Sequence, residues 1–523
     1  MLRVYRAQGS VMTAEDVRLA ELLAALSVAT DLGMDQEPEK AVRSCLLATH
    51  LARAMDLPER DVHDVYYCTL LQHLGCTAPA HELTHIMGDD LTASAQAERT
   101  DSRNPRELAG MLARVGEGTG AARPVHLARL LATGTQGMRQ ILRSVCEVGA
   151  RLAERLGLGE SVQQAVFAAL ESWDGREGPL QLTGDDIPLP ARFSAVATQA
   201  VIFDRLGGPQ AACEMVRRRA GGWFDPAVAA TFERVGGDRL RQLAEADVWA
   251  EVTVAEPLPN RRVPESQLDA VAAAFGDMAD LKTPFTLGHS AGVAELAGAA
   301  AGTMDLGDDA VRRVRRAGHL HDLGRVAVPN AVWERPKPLT TGQWEQVRLH
   351  AYHSERILAR SPALVSLGRL AGRHHERQDG SGYHRGAAGA EVPVEARLLA
   401  AADVLQALTQ QRPHRPAVTA ERAAGRVADL AAAGTLDVEC AGAVIAAAGQ
   451  PPPPAPAWPA GLSDREVQVL RLVARGRSNR EVAEALVVSR RTAEHHVQHI
   501  YGKIGLSTRA AAALFAVEHD LLR

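Results

Sequence analysis

The chain has 523 residues and a mass of 55.8 kDa, too long for one core of ordinary size, and about three to four domains is the expectation. Hydrophobic residues at 46% and charged residues at 23% are globular values that exclude a disordered or collagen-like chain, and a net charge of −5 argues against a protein that coats nucleic acid along its whole length. Met1–Val11 lacks an apolar segment, no run of about 18 apolar residues occurs, and Cys45, Cys68, Cys76, Cys146, Cys213 and Cys440 form no C-x-x-C pair, so a cytoplasmic protein with reduced thiols and no membrane partner is expected.

Before residue 450 nearly everything has helical period, as in Val311–Leu320, and alternating β-branched runs are scarce; the fold class predicted is all-α. Two stretches repeat at a nearly fixed offset, the mark of duplicated units. Ala24–Leu32 matches Ala273–Leu281 and Leu70–Cys76 matches His319–Arg325, both at an offset of 249. Glu171–Gly175 then matches Glu376–Gly380 and Ile187–Arg192 matches Val392–Arg397, now at 205, so the first copy carries an insertion of 44. Its polar, Gly- and Asp-rich candidate, Ala80–Arg123, reads as a mobile loop. The boundaries predicted are 1–260 for the first copy and 261–449 for the second, with the change near Glu256–Pro264. Gln450–Gly461, QPPPPAPAWPAG, reads as an extended semi-rigid spacer, followed by a separate unit over 462–523. Residues 461–523 carry ten Lys/Arg and seven Asp/Glu, a net +3 against −8 for the preceding 460.

Ser463-Asp464-Arg465-Glu466 and Ser478-Asn479-Arg480-Glu481 are S-x-x-E capping boxes, each opening an apolar-periodic helix, and Gly476 stands where the first should stop. A third helix runs from Arg490 to Ile504, with Ala493, Val497, Ile500 and Ile504 on one face. That is helix-turn-helix geometry, in which Arg490, Arg491, Thr492, Glu494 and His495 suit contacts to base edges and phosphates. The segment resembles the LuxR-type DNA-binding domain over its whole length, through L-S-D-R-E, G-R-S-N-R-E, S-R-R-T, His496 and K-I-G. The resemblance implies a four-helix module on double-stranded DNA, with Arg480 and Lys503 on phosphates and Thr492 and His495 near bases.

Residues 289–437 are rich in histidine. His321-Asp322 and His374-His375 are adjacent pairs about 100° apart on their helices, which lets each pair straddle two metal positions in a helical cleft. Asp322 can bridge two divalent ions, and His289, His350 and Asp403 can complete their ligand sets. The stretch resembles the HD-GYP phosphodiesterases, all-α HD-domain phosphohydrolases, through H-S-x-x-V at His289, H-D-x-G-R at His321–Arg325, R-L-H at His350, H-H-E-R-x-D-G-S-G-Y at His374–Tyr383, A-A-D at Asp403 and R-P-H-R at Arg412–Arg415. The resemblance implies two iron or manganese ions. One would be held by His289, His321, Asp322 and Asp403; the other by His350, His374 and His375, with Asp322 bridging. Asp322 and Arg325 are then the candidate catalytic residues, and Arg325, Arg412 and Arg415 would hold the phosphates of a cyclic dinucleotide.

At the matched positions the first copy has Lys40 for His289, Gln72 and His73 for the His-Asp pair, Ala169 and Leu170 for the His-His pair, and Thr198 for Asp403. It is read as a degenerate copy without metal ligands. Two functions follow. The chain is a phosphodiesterase coupled to a tethered transcriptional regulator, or a DNA-binding regulator whose HD-like body only binds a nucleotide or partner. A homodimer is expected for reading paired half-sites.

Overall fold

The computed structural model describes residues 17–449 and 458–522; Met1–Val11 and most of the proline-rich spacer lie outside them. Among the described residues there is no β-strand, and the isolated bridges Arg18 with Arg262, Ala220 with Phe224 and Arg412 with Arg415 stand between helices. The all-α expectation holds.

The duplication is visible in the helix boundaries. Lys40–Ala54 in the first copy and His289–Thr303 in the second start and end at an offset of 249, as do Glu59–Leu71 and Asp308–Leu320. Leu189 and Val394, 205 apart, open the next matched pair of helices. One backbone approach is common to both copies. A Cβ added at Gly324 would lie 2.1 Å from the carbonyl oxygen of His350, and one added at the matched Gly75 would lie 2.0 Å from that of Val145. Only glycine permits so close a crossing. In the second copy it brings the turn after Asp322 against the helix Thr341–Leu358 that carries His350.

The expected mobile loop at Ala80–Arg123 is instead largely helical, as Ala80–Met87, Asp90–Arg99 and Pro105–Arg114. The polar residues that suggested a loop are the segment's anchors. Asp90 is buried against Lys282 of the second copy (2.6 Å) and accepts the backbone N–H of Asn330 (2.7 Å). Glu98 enters the first copy, and Glu107 receives the buried Arg219 (2.8 Å). Polar composition signals a loop only when the polar groups stay in water, and here they find partners in the interior.

The C-terminal unit has the four expected helices, Asp464–Ala474, Asn479–Leu486, Arg490–Ile504 and Arg509–Glu518. Both capping boxes are formed with both reciprocal hydrogen bonds, Ser489 caps the third helix, and Gly476 ends the first at φ +76°. Buried apolar side chains of both copies and of this unit form one continuous cluster, so the unit is seated on the body.

The Lys282–Asp90 pair ties the insertion to the second copy, and breaking one side of a buried pair is far more costly than removing both charges. Lys282→Met is expected to lower the thermal unfolding midpoint by the equivalent of about 3 kcal/mol. Adding Asp90→Asn, which keeps an acceptor for Asn330, should recover part of the loss in the same calorimetric scan.

Candidate metal centre and nucleic-acid interface

His289 is the first residue of its helix, His321 and Asp322 follow the end of Asp308–Leu320, His350 lies in mid-helix, His374 and His375 follow the helix Val365–Ala371, and Asp403 is on Val394–Thr409. Ser354 fixes the approach made possible by Gly324. Its hydroxyl donates to His321 O (2.7 Å) and accepts from the N–H of Gly324 (2.8 Å), one helical turn after His350.

The seven predicted ligands converge. His350 Nε2 lies 3.2 Å and His374 Nε2 3.6 Å from Asp322 Oδ1, while His289 Nε2 at 3.7 Å and His321 Nε2 at 3.6 Å face Oδ2. Asp403 places Oδ1 3.1 Å from His289 Nε2 and Oδ2 3.7 Å from His375 Nδ1. His350, His374 and His375 form one group with metal-ligand spacing, and His289, His321 and Asp322 form another. Asp322 thus stands between two histidine sets, with a different oxygen toward each.

Three of the rings are locked by their far nitrogens. Nδ1 of His321 bonds to Gly318 O (2.7 Å), that of His374 to Ala371 O (2.6 Å), and that of His350 to Val347 O. A carbonyl oxygen accepts only from an N–H, so in each ring Nε2 carries the lone pair and points inward, the usual preparation of a metal-ligating imidazole. Nε2 of His321 and Nδ1 of His375 are buried without a hydrogen-bond partner. Burial lowers the His289, His374 and His375 imidazoles, His374 to about 4, and so keeps them neutral near pH 7. Burial alone would raise the Asp322 carboxyl, but its surroundings, with the Arg325 guanidinium 3.4 Å away, hold it well below its usual range. The Asp403 carboxyl, beside His289, is likewise held well below its usual range despite its burial. Neutral imidazoles and ionised carboxylates, with two orphaned nitrogens aimed inward, fit a pair of divalent ions.

Arg325 lies 3.4 Å from Asp322 Oδ2, its guanidinium stacked 3.6 Å over the Trp333 ring. Arg412 is behind His289, donating to Phe285 O (2.6 Å); burial and the charge of Arg325 lower it to about 10. Arg415 donates to the carbonyls of Ala407, Leu408, Gln410 and Pro416 and braces the turn that carries Arg412. Sequence reading missed Gln410, whose Oε1 accepts from His289 Nδ1 (3.0 Å) and whose amide donates to Leu287 O (3.3 Å). It also missed Tyr383 as a wall of the centre, its ring centroid 4.2 Å from that of His375. The GSGY motif marked that residue without giving it a place.

In the first copy the corresponding space is filled. Lys40, fully buried, sets its ammonium 3.3 Å from Glu98 Oε1, and His73 Nε2 is 2.7 Å from the same oxygen. Burial would raise Glu98, but Lys40 and His73 bring it down to about 2. Gln72 bonds to Thr198 and Ser194, the first pair matching His321 and Asp403. A lysine ammonium held by a carboxylate from the insertion thus occupies the place of the ligand set.

On the C-terminal unit Arg480, Arg490, Arg491, Thr492 and His495 are exposed, and Ala493, Val497 and Ile500 are buried beneath the third helix. Arg480 and Arg490 pair only with Glu484 and Glu494, at 3.1 and 2.9 Å on the surface. Lys503 is engaged within the unit, donating to Glu466 (2.8 Å) and Gly461 O (2.9 Å).

The HD domain family matches residues 92–228 and again 273–439, and the family of bacterial regulatory proteins named luxR matches 460–516. The 3'3'-cGAMP-specific phosphodiesterase 3 of Vibrio cholerae is 30% identical over 410 residues, covering 77% of this chain and 89% of that protein. The cyclic di-GMP phosphodiesterase response regulator RpfG of Xanthomonas campestris is 38% identical over 133 residues, 25% of this chain and 35% of that one. A crystal structure of a cyclic GMP-AMP specific phosphodiesterase of V. cholerae matches 83% of this chain and 98% of its own at a TM-score of 0.58 and 27% identity.

Gln410 orients His289 through Nδ1, and losing such a partner costs about 10–100-fold in metal affinity. Gln410→Ala is expected to weaken Mn²⁺ binding by that factor in a competitive titration, while Arg415→Ala, which touches no ligand directly, weakens it less.

Proposed function

Since the chain belongs to the HD domain family and ends in a regulatory domain of the luxR family, we propose that it is a metal-dependent phosphodiesterase of cyclic dinucleotides whose body carries a transcriptional regulator. The observation that carries this reading is Asp322, with one oxygen toward His350 and His374 and the other toward His289 and His321. The first copy supports it by contrast. Where no ion is to be held, the matched ligand positions have changed and an ion pair has taken the space. The domains proposed are 1–260 without metal ligands, 261–449 hydrolytic, 450–461 a linker and 462–523 on DNA.

His289, His321, Asp322 and Asp403 would hold one ion and His350, His374, His375 and Asp322 the other, and the nitrogen and oxygen donors without thiolate suit iron or manganese. Such ions supply Lewis acidity toward a phosphodiester and acidify water. The chain's own residues do the rest. Asp322 stays ionised between the histidine sets, and Arg325, fixed by Trp333 and Asp322, presents a planar cation at the edge of the centre for a non-bridging phosphate oxygen. Arg412 adds a second positive charge behind His289, with Arg415 bracing its turn. Among substrates, 3'3'-cGAMP is the first candidate, because the relative of that name aligns along most of both chains; cyclic di-GMP is the second. On the regulator, Arg480, Arg490 and Arg491 would meet phosphates and Thr492 and His495 base edges, two protomers reading paired half-sites. No helix among the described residues is long and apolar enough to cross a membrane, and a unit suited to DNA supports a cytoplasmic location.

Hydrolysis of 3'3'-cGAMP and cyclic di-GMP by the manganese-loaded protein, followed chromatographically, is expected for wild type and absent for Asp322→Ala. A wild type that binds about two ions yet cleaves neither nucleotide would remove the enzymatic reading. Arg491→Ala should weaken binding to double-stranded DNA roughly 10-fold and reduce the salt slope by about one, measured by fluorescence anisotropy from 50 to 200 mM salt.

A further inference from the structure

The regulator is seated on the body through charges from all three parts of the chain. Glu147 of the first copy accepts from Ser507 N (3.2 Å) and Thr508 Oγ1 (2.9 Å), at the start of the helix Arg509–Glu518. At the other end of that helix Glu518 receives Arg151 (2.9 Å). Arg155, one turn further on, lies 3.6 Å from Glu518 and 2.7 Å from Asp277 of the second copy. Asp277 is buried and the Glu518 carboxylate nearly so, and Arg155 is the cation that the two carboxylates, from different domains, share.

The regulator also rests on residues 281–288, the segment that runs directly into His289. A Cβ added at Gly476 would meet the Pro284 ring at 3.1 Å, and one at Gly288 would meet Leu522 at 3.7 Å. From the opposite side the same segment is held by the centre, where Arg412 donates to Phe285 O and Gln410 to Leu287 O. Its beginning is fixed by Asp280, one turn after Asp277, which accepts from Ser290 N (2.7 Å) and Oγ (2.8 Å) beside His289. Arg490, Arg491, Thr492 and His495 remain exposed in this seating.

We propose that residues 281–288 are the surface through which the metal centre and the DNA-binding unit sense one another. Filling the centre fixes His289, and with it the segment, in the arrangement on which Gly476 and Leu522 dock. Occupancy therefore favours the docked regulator, and docking favours occupancy to the same degree, because coupling between two binding equilibria is reciprocal. The docked regulator presents its DNA face at a geometry set by the body; undocked, it would be held only by the proline-rich spacer. The inference rests on the metal centre proposed above, and it concerns a consequence that hydrolysis does not report.

The test uses the full chain with Mn²⁺ alone as the probe. Mn²⁺ is expected to slow amide hydrogen exchange in 281–288 and 507–522 of the wild type and to leave both unchanged in Asp322→Ala. Glu518→Lys, on the regulator, and Arg151→Glu, on the body, should each speed exchange in 507–522 and weaken Mn²⁺ binding by about 5-fold or more. The charge-reversed double variant should recover both. Mn²⁺ bound and nucleotide cleaved with exchange in 507–522 unaltered would overturn the coupling and leave the enzyme standing; so would Glu518→Lys that loosens the regulator at unchanged Mn²⁺ affinity. Failure to bind Mn²⁺ at all would overturn both readings.

Discussion

The crossing at Gly324 is the constraint from which the centre follows. Because no side chain separates the two backbones, the turn that follows Asp322 is pressed against the helix of His350, and Ser354 closes the contact from both sides. Only then can one carboxylate reach, besides its neighbour His321, histidines from three segments distant in sequence. The matching Gly75 shows that this crossing belongs to the frame and not to the chemistry. The first copy keeps it while the matched ligand positions have changed. The ring-locking bonds are local, each to the carbonyl three residues earlier, so they aim each Nε2 within its own turn while the frame brings the turns together.

Burial and charge cooperate in the second copy and are balanced differently in the first. In the second, His289, His374 and His375, kept neutral by burial, face two carboxylates that stay ionised, a pocket that suits dications. In the first, the insertion adds a carboxylate, Glu98, and the chain adds an ammonium, Lys40, so the pocket is neutralised from within. Replacing a ligand set by an ion pair of similar size preserves the packing of the surrounding helices, including the bond from the Ala41 N–H to Asp31 (3.1 Å), the counterpart of Ser290 on Asp280.

Most of the second copy's centre was legible because its ligands come from short motifs in which spacing and residue type coincide, such as His321-Asp322 and His374-His375. The capped helices of the C-terminal unit were legible because a capping box is a local code, complete within four residues. The insertion was not, since what makes Asp90 and Glu98 interior residues is Lys282 and Lys40, 192 and 58 positions away. Gln410 was invisible for the same reason; nothing beside it announces that His289, 121 residues earlier, needs an acceptor. Lys503 carries a charge suited to phosphate, and what no local motif shows is that it also reaches Glu466 within the unit. Composition counts charges, and only the fold reveals which of them are already answered.

The ammonium of Lys40 differs from an ion in one respect that matters to the whole chain: it is covalently attached. A chelator cannot strip it, dilution cannot release it, and a cell short of transition metal cannot leave it behind. Of the two related bundles, one carries its cation permanently and the other, on the reading proposed above, would obtain its cations from the medium. On that reading the protein contains a fixed reference beside a variable copy of itself, and the regulator, seated on both, would be placed to register the difference between them.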